Sequence, residues 1–167
     1  MSQGRARCPS VIVLGCGNPS RGDDALGPAL MRRLEAWIER HPGRPVTAVE
    51  DFQFQIEHAL DLRGHDLALF VDASASGPEP LALHRIEPQA DGTFTTHALS
   101  PEALLQAFGA LDQGSPPSAF ALAVRGYSFD LGKPLSAGAA ANLDRAWRLI
   151  QRMVNRPSQE NWRALES

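Results

Sequence analysis

The 167-residue chain holds only two cysteines, Cys8 and Cys16. Two thiols at this spacing make neither a disulfide framework nor a zinc-binding pattern, so a reducing, cytoplasmic setting is expected. A basic excess is also missing. The net charge is −3 at pH 7, whereas a general nucleic-acid binder carries a basic footprint. The charges are mixed along the chain, and no acidic or basic tail stands out. No apolar run approaches the ~20 residues needed to cross a bilayer as a helix. The apolar run at residues 11–14 is too short for the core of a signal peptide and leads into glycines. No internal repeat and no linker is present. What remains is an ordinary globular composition, 43% hydrophobic and 21% charged, on a chain whose length suggests one compact domain.

Hydrophobic periodicity orders that domain. Residues 11–14 are apolar on both faces, as in a central parallel strand covered on both sides. Leu26, Leu30, Leu34, Trp37 and Ile38 then recur at helical spacing, and His41-Pro42-Gly43 stops the helix. A second strand is expected over residues 46–49, a short helix around Ile56, Ala59, Leu60 and Leu62, and a buried strand over residues 67–71. Residues 81–86 alternate like an edge strand. Ser100 and Pro101 read as the N-cap and first position of another helix. Residues 119–124 form a further strand, and a long helix runs from Leu135 or Ser136 to Val154. The expected fold is a single three-layer α/β domain over residues 10–155, with a mainly parallel sheet of about five strands and helices on both faces. Residues 1–9 are expected to be a flexible N-terminus and residues 156–167 a loose tail.

In such sheets the ligand site lies beyond the carboxyl ends of the strands. The first strand ends at Gly15-Cys16-Gly17-Asn18 and leads to Asp23-Asp24. The second ends at Glu50-Asp51, the third at Asp72, and the last core strand at Arg125-Gly126, with Tyr127 following. His97 lies in the loop before the Ser100 helix. Two carboxylates and one imidazole from separate loops make an open metal site plausible. Each residue also has a plainer reading: one aspartate of the pair can cap a helix, Asp72 can form a turn, and His97 can be a surface histidine. Only one of two adjacent acids can cap, so Asp23 is assigned the cap and Asp24 the site. Arg125 and Tyr127 either line the site or are rim residues, and His58, His65 and His84 receive no role.

The Gly-x-Gly loop invites a nucleotide reading, yet its third glycine position holds Ser20. Pro19 removes a donor that an anion would use, and Asp23 and Asp24 would repel a phosphate. Glu50 keeps that reading open, since it lies near where a ribose-binding acid would sit. A second alternative makes Cys16 a nucleophile, with His97 as its base and Asp72 as orienter.

Gly15-x-Gly17-Asn18 followed by Asp23-Asp24-x-x-Gly27, then Leu69-Phe70-Val71-Asp72-Ala73, then His97-Ala98-Leu99-Ser100, resembles the motif series of the nickel-iron hydrogenase maturation endopeptidases. The order and spacing fit over residues 10–154. The resemblance implies a cytoplasmic, aspartyl-endopeptidase-like processing protease. It would remove the C-terminal extension of a hydrogenase large-subunit precursor after nickel insertion, docking on the nickel that the substrate carries. The metal-contacting and catalytic positions then carry over to Asp24, Asp72 and His97, and in the isolated protein such a site could stand empty or hold another divalent ion. A monomer that binds neither nucleic acid nor membrane is expected. Residues 50–58 and 125–129 resemble the branch that serves soluble hydrogenases. The alternatives are a nucleotide-binding α/β enzyme and a non-catalytic chaperone of the large subunit.

Overall fold

The computed structural model describes residues 7–90, 99–111 and 114–167. His97 therefore lies outside the described residues, as do residues 1–6. The five strands are β1 (Val11–Cys16), β2 (Val46–Asp51), β3 (Leu67–Ser74), β4 (Leu81–Ile86) and β5 (Ser118–Arg125). They form one sheet in the order β2-β1-β3-β5-β4. All neighbours are parallel except β4, which runs antiparallel to β5 at the edge. This is the single, mostly parallel three-layer α/β domain that the sequence predicts.

Helices α1 (Leu26–Arg40) and α4 (Ala137–Asn155) cover one face of the sheet, and α2 (His58–Asp61) and α3 (Pro101–Leu111) cover the other. The two-residue period of the strands divides their side chains between these faces. Val11, Val13, Leu67, Leu69 and Val71 pack under α1 and α4. Ile12, Leu14, Cys16, Ala68 and Phe70 pack under α2 and α3. Because both faces are covered, β1 is buried at every position. Ser100 does cap α3, accepting the Ala103 N–H at 3.1 Å, and Ser136 caps α4 through the Ala139 N–H at 3.2 Å.

The loose tail expected at residues 156–167 is corrected by the structure. A fifth helix, α5 (Gln159–Ala164), is capped by Ser158. It buries Trp162 completely, edge-on against Phe120 at 5.4 Å. The Trp162 indole N–H donates to the Met153 carbonyl at 2.9 Å. Past α5, Glu166 and Ser167 accept the Arg85 and Leu83 N–H groups of edge strand β4. The expectation failed because a single aromatic in a twelve-residue polar stretch has no periodicity; its burial depends on where the sheet edge lies.

Candidate functional site

The order in which strands are added reverses between the parallel strands β1 and β3, since β2 lies on one side of β1 and β3 on the other. Open α/β sheets bind ligands at this switch point, beyond the strand carboxyl ends. Gly15 pairs with Val71 and Cys16 with Asp51. The register therefore brings Cys16, Asp51 and Asp72 to one level at this rim.

The loop after β1 brings Asp24 to the same place. Gly17 has φ 149°, and a Cβ there would run into the Asp24 carbonyl oxygen. A Cβ on Gly27 would strike the Cys16 carbonyl oxygen. The two glycines thus let the 3₁₀ turn Gly22–Ala25 and the start of α1 lie directly on the end of β1. Asp24 Oδ2 then accepts the Asn18 N–H at 2.7 Å. That donor is one a phosphate loop would offer to its ligand. Here a carboxylate of the same chain occupies it, which removes the main physical support for the nucleotide reading.

Asp23 does not cap the helix, contrary to the expectation from sequence. The 3₁₀ turn and α1 both lack a side-chain cap, and Asp23 is fully buried. Its carboxylate accepts the N–H groups of Tyr127, Ser128 and Ser136 at 2.6, 2.9 and 2.7 Å and the Ser136 hydroxyl at 2.8 Å. Burial alone would raise its pKa. The Ser136, Tyr127 and Ser128 backbone donors and the Ser136 hydroxyl outweigh that and hold it below the usual carboxylate value. Asp23 thus ties the segment after β5 to the loop after β1. The adjacent acids serve different sides: Asp23 points into structure, while Asp24 lines an open groove.

That groove, about 570 Å³ in volume, lies on the α2/α3 face at the rim. Cys16, Asp24 and Asp72 line it together with His84, Ser100 and Glu102, and with Phe52, Gln53 and Phe54 from the β2–α2 connection. Asp72 Oδ1 accepts the Ala73 N–H at 2.8 Å, and the Cys16 thiol donates to the same carboxylate. Water reaches Asp72 through the groove mouth, while protein crowds its remaining sides. This desolvation, with the charge of Asp24 adding to it, lifts the Asp72 pKa to about 6 against the pull of the Cys16 and Ala73 hydrogen bonds. For Cys16, burial and the charges of Asp72, Asp24 and Asp51 push the thiol pKa far up. A thiol kept protonated by burial and by three nearby carboxylates is a poor nucleophile, so the structure opposes the reading of Cys16 as one.

Asp51, level with Cys16 on the neighbouring strand, does not line the groove. Its Oδ1 accepts the Phe52 N–H at 2.7 Å, and its Oδ2 lies 3.3 Å from His58 Nε2. His58 Nδ1 accepts the Gln55 N–H at 2.8 Å, which assigns the ring proton to Nε2, facing Asp51. His58, given no role from sequence, is a buried strut for residues 51–55. Arg125 and Tyr127 do not line the groove. The Arg125 guanidinium lies over the Tyr127 ring at 5.4 Å and donates to the Gly77 carbonyl at 2.7 Å.

Asp24 and Asp72 are thus brought together and Asp23 is separated from them. Among the described residues no group of three His, Cys, Asp or Glu is disposed to hold a metal ion. Sequence reasoning missed the contribution of Glu102 and His84 to the groove. The available signal was the alternation Ala119, Ala121, Ala123 in β5, which leaves that strand's groove face without bulk.

No family model matches the chain, and no curated protein matches it in sequence. Solved structures do share its fold. It is 20% identical to the nickel-iron hydrogenase maturation protease HycI from Thermococcus kodakarensis, covering 88% of this chain and 93% of that one with a TM-score of 0.67. It is 20% identical to the hydrogenase maturating endopeptidase HybD from E. coli, covering 84% and 89% with a TM-score of 0.63. A solution structure of an endopeptidase from Escherichia coli is 19% identical over 90% and 94% of the two chains, with a TM-score of 0.67. The architecture is therefore that of the hydrogenase maturation proteases.

Proposed function

We propose that this protein is a hydrogenase maturation endopeptidase, a hydrolase that removes the C-terminal extension of a nickel-iron hydrogenase large-subunit precursor once nickel is in place. The observation that carries the reading is the meeting of Asp24 and Asp72 at the switch point of this fold, in the lining of an open groove of about 570 Å³. The fold likeness to HycI and HybD supports the reaction class.

In this reading the nickel belongs to the substrate, held there by soft thiolates, and Asp24, Asp72 and His97 approach its open positions. The metal is chiefly a recognition element that sets the scissile bond beside the carboxylates. The Asn18 N–H and the Cys16 thiol fix how Asp24 and Asp72 present their oxygens. A carboxyl with a pKa of about 6 is suited to take a proton from the attacking water near neutrality. The reaction belongs to the cytoplasm, and no helix among the described residues is long and apolar enough to cross a membrane.

The test is incubation of nickel-loaded precursors, from soluble and membrane-bound hydrogenases in parallel, with wild type, Asp24→Ala, Asp72→Ala and His97→Ala. Shortening of a precursor by wild type and not by the variants is expected. Full cleavage by all three variants removes the site assignment, and equal cleavage of nickel-free precursor removes the recognition role. Tight binding of the precursor without shortening makes the protein a chaperone instead.

A further inference from the structure

The groove continues well past the two aspartates, across β5 toward β4. Its floor there is Ala121 and Ala123, both half-exposed, whereas Ala119 is buried beneath α3. The strand carries the same small residue at all three positions, but the helix covers only the first. The open part ends at His84 on β4, which faces Ala121 across the antiparallel pairing. Ser100, Pro101 and Glu102 at the start of α3 form the opposite wall.

Register gives the length of this trough. Asp72 is level with Ala123, and His84 is level with Ala121. The path from Asp72 to His84 is two strand spacings across and two residues along, about 12 Å, the span of about three to four residues of extended chain. The charge is one-sided. Asp24, Asp72 and Glu102 line the groove, and no lysine or arginine does among the described residues. Such a cleft attracts positive charge and disfavours negative charge.

We propose that this trough is a specificity subsite for the polypeptide being cleaved. An extended segment lies over Ala121 and Ala123, and a cationic side chain about three to four residues from the scissile bond faces Glu102 beside His84. This rests on the endopeptidase reading for what the segment belongs to. The alanines supply room for backbone, since any larger side chain on the same strand face would fill the space the substrate occupies. Glu102 supplies charge selection away from the bond-breaking carboxylates, and it acts on binding.

Two measurements test the subsite. In the first, a five-residue peptide centred on lysine and the same peptide with glutamate in place of lysine are titrated into the ¹⁵N-labelled protein. The amide signals of His84, Glu102, Ala121 and Ala123 are expected to move with the lysine peptide and stay with the glutamate peptide. Unmoved signals with both peptides, or the opposite preference, overturn the inference whether or not any precursor is cleaved. In the second, nickel-loaded precursor is cleaved by wild type, Ala121→Leu and Glu102→Gln. Ala121→Leu is expected to lower kcat/KM roughly tenfold or more, the scale on which small steric changes act in a fitted pocket. Glu102→Gln is expected to raise KM several-fold with kcat retained. Values within twofold of wild type for both variants, in proteins whose melting temperatures match wild type, overturn the subsite. Failure of wild type to cleave any precursor counts against the endopeptidase reading alone, because the peptide titration still decides the subsite.

Discussion

The Cys16 thiol donates a hydrogen bond to the Asp72 carboxylate, linking the parallel strands β1 and β3 at the switch point of the strand order. Burial first, and then the charge and hydrogen bond of Asp72, keep the sulfur protonated. Cys16 is therefore expected to resist iodoacetamide at pH 8 in the folded protein, while the exposed Cys8 reacts. Peptide mapping by mass spectrometry reads the result directly. Cys16→Ser keeps a donor at the same place and is expected to keep activity.

Asp72 carries a folded-state pKa lifted to about 6. A carboxyl whose pKa is raised on folding binds more protons folded than unfolded between about pH 4 and pH 6. Its contribution to stability thus declines as pH rises through that window. Asp72→Asn is expected to melt at a higher temperature than wild type at pH 7 and at about the same temperature near pH 4. Calorimetry at the two pH values checks it, and loss of activity in the stabilised variant fits the usual conflict between site chemistry and stability.

Asp23 works in the opposite direction. Its pKa is held below the usual value in the fold, so its stabilising effect is present above about pH 4, its unfolded value. That effect is lost as pH falls through the lower folded value. Asp23→Ala leaves three N–H groups and a hydroxyl without their acceptor. Each buried donor so orphaned costs about 1–3 kcal/mol, and a loss of several kcal/mol is expected. A lower urea midpoint at unchanged slope is the signature, and Asp23→Asn is expected to remove part of the acid-dependent loss seen in wild type.

Trp162 fills the space under α5 against Phe120 with no exposed surface. Trp162→Ala is expected to cost roughly 3–5 kcal/mol and to loosen the cover over β4. Hydrogen exchange at the Leu83 and Arg85 amides, which Ser167 and Glu166 hold, reports that loosening.

The pattern of β1, α1, β3, β5 and α4 was legible because each buries a full face, and burial imposes a period on the sequence. The same logic places Asp24 and Asp72 at one rim from sequence alone, since parallel strands all end on the same side of a sheet. The adjacent pair Asp23-Asp24 was only half legible. Local sequence showed two acids ahead of a helix and suggested a cap. The partners of Asp23 lie more than a hundred residues away, at Tyr127, Ser128 and Ser136, and no local rule contains them.

By itself the sequence determined the α/β class, the strand that opens the site, the glycine loop and the two carboxylates that a parallel sheet delivers to one edge. Those features follow from periodicity and from steric rules that act within a few residues. Only the tertiary structure decided that Asp23 is a structural clamp, that Cys16 is a protonated donor, that Trp162 belongs to the core and that the groove runs on across bare alanines to Glu102 and His84. Each of these depends on which segments distant in sequence come into contact, and so on the register and order of the strands.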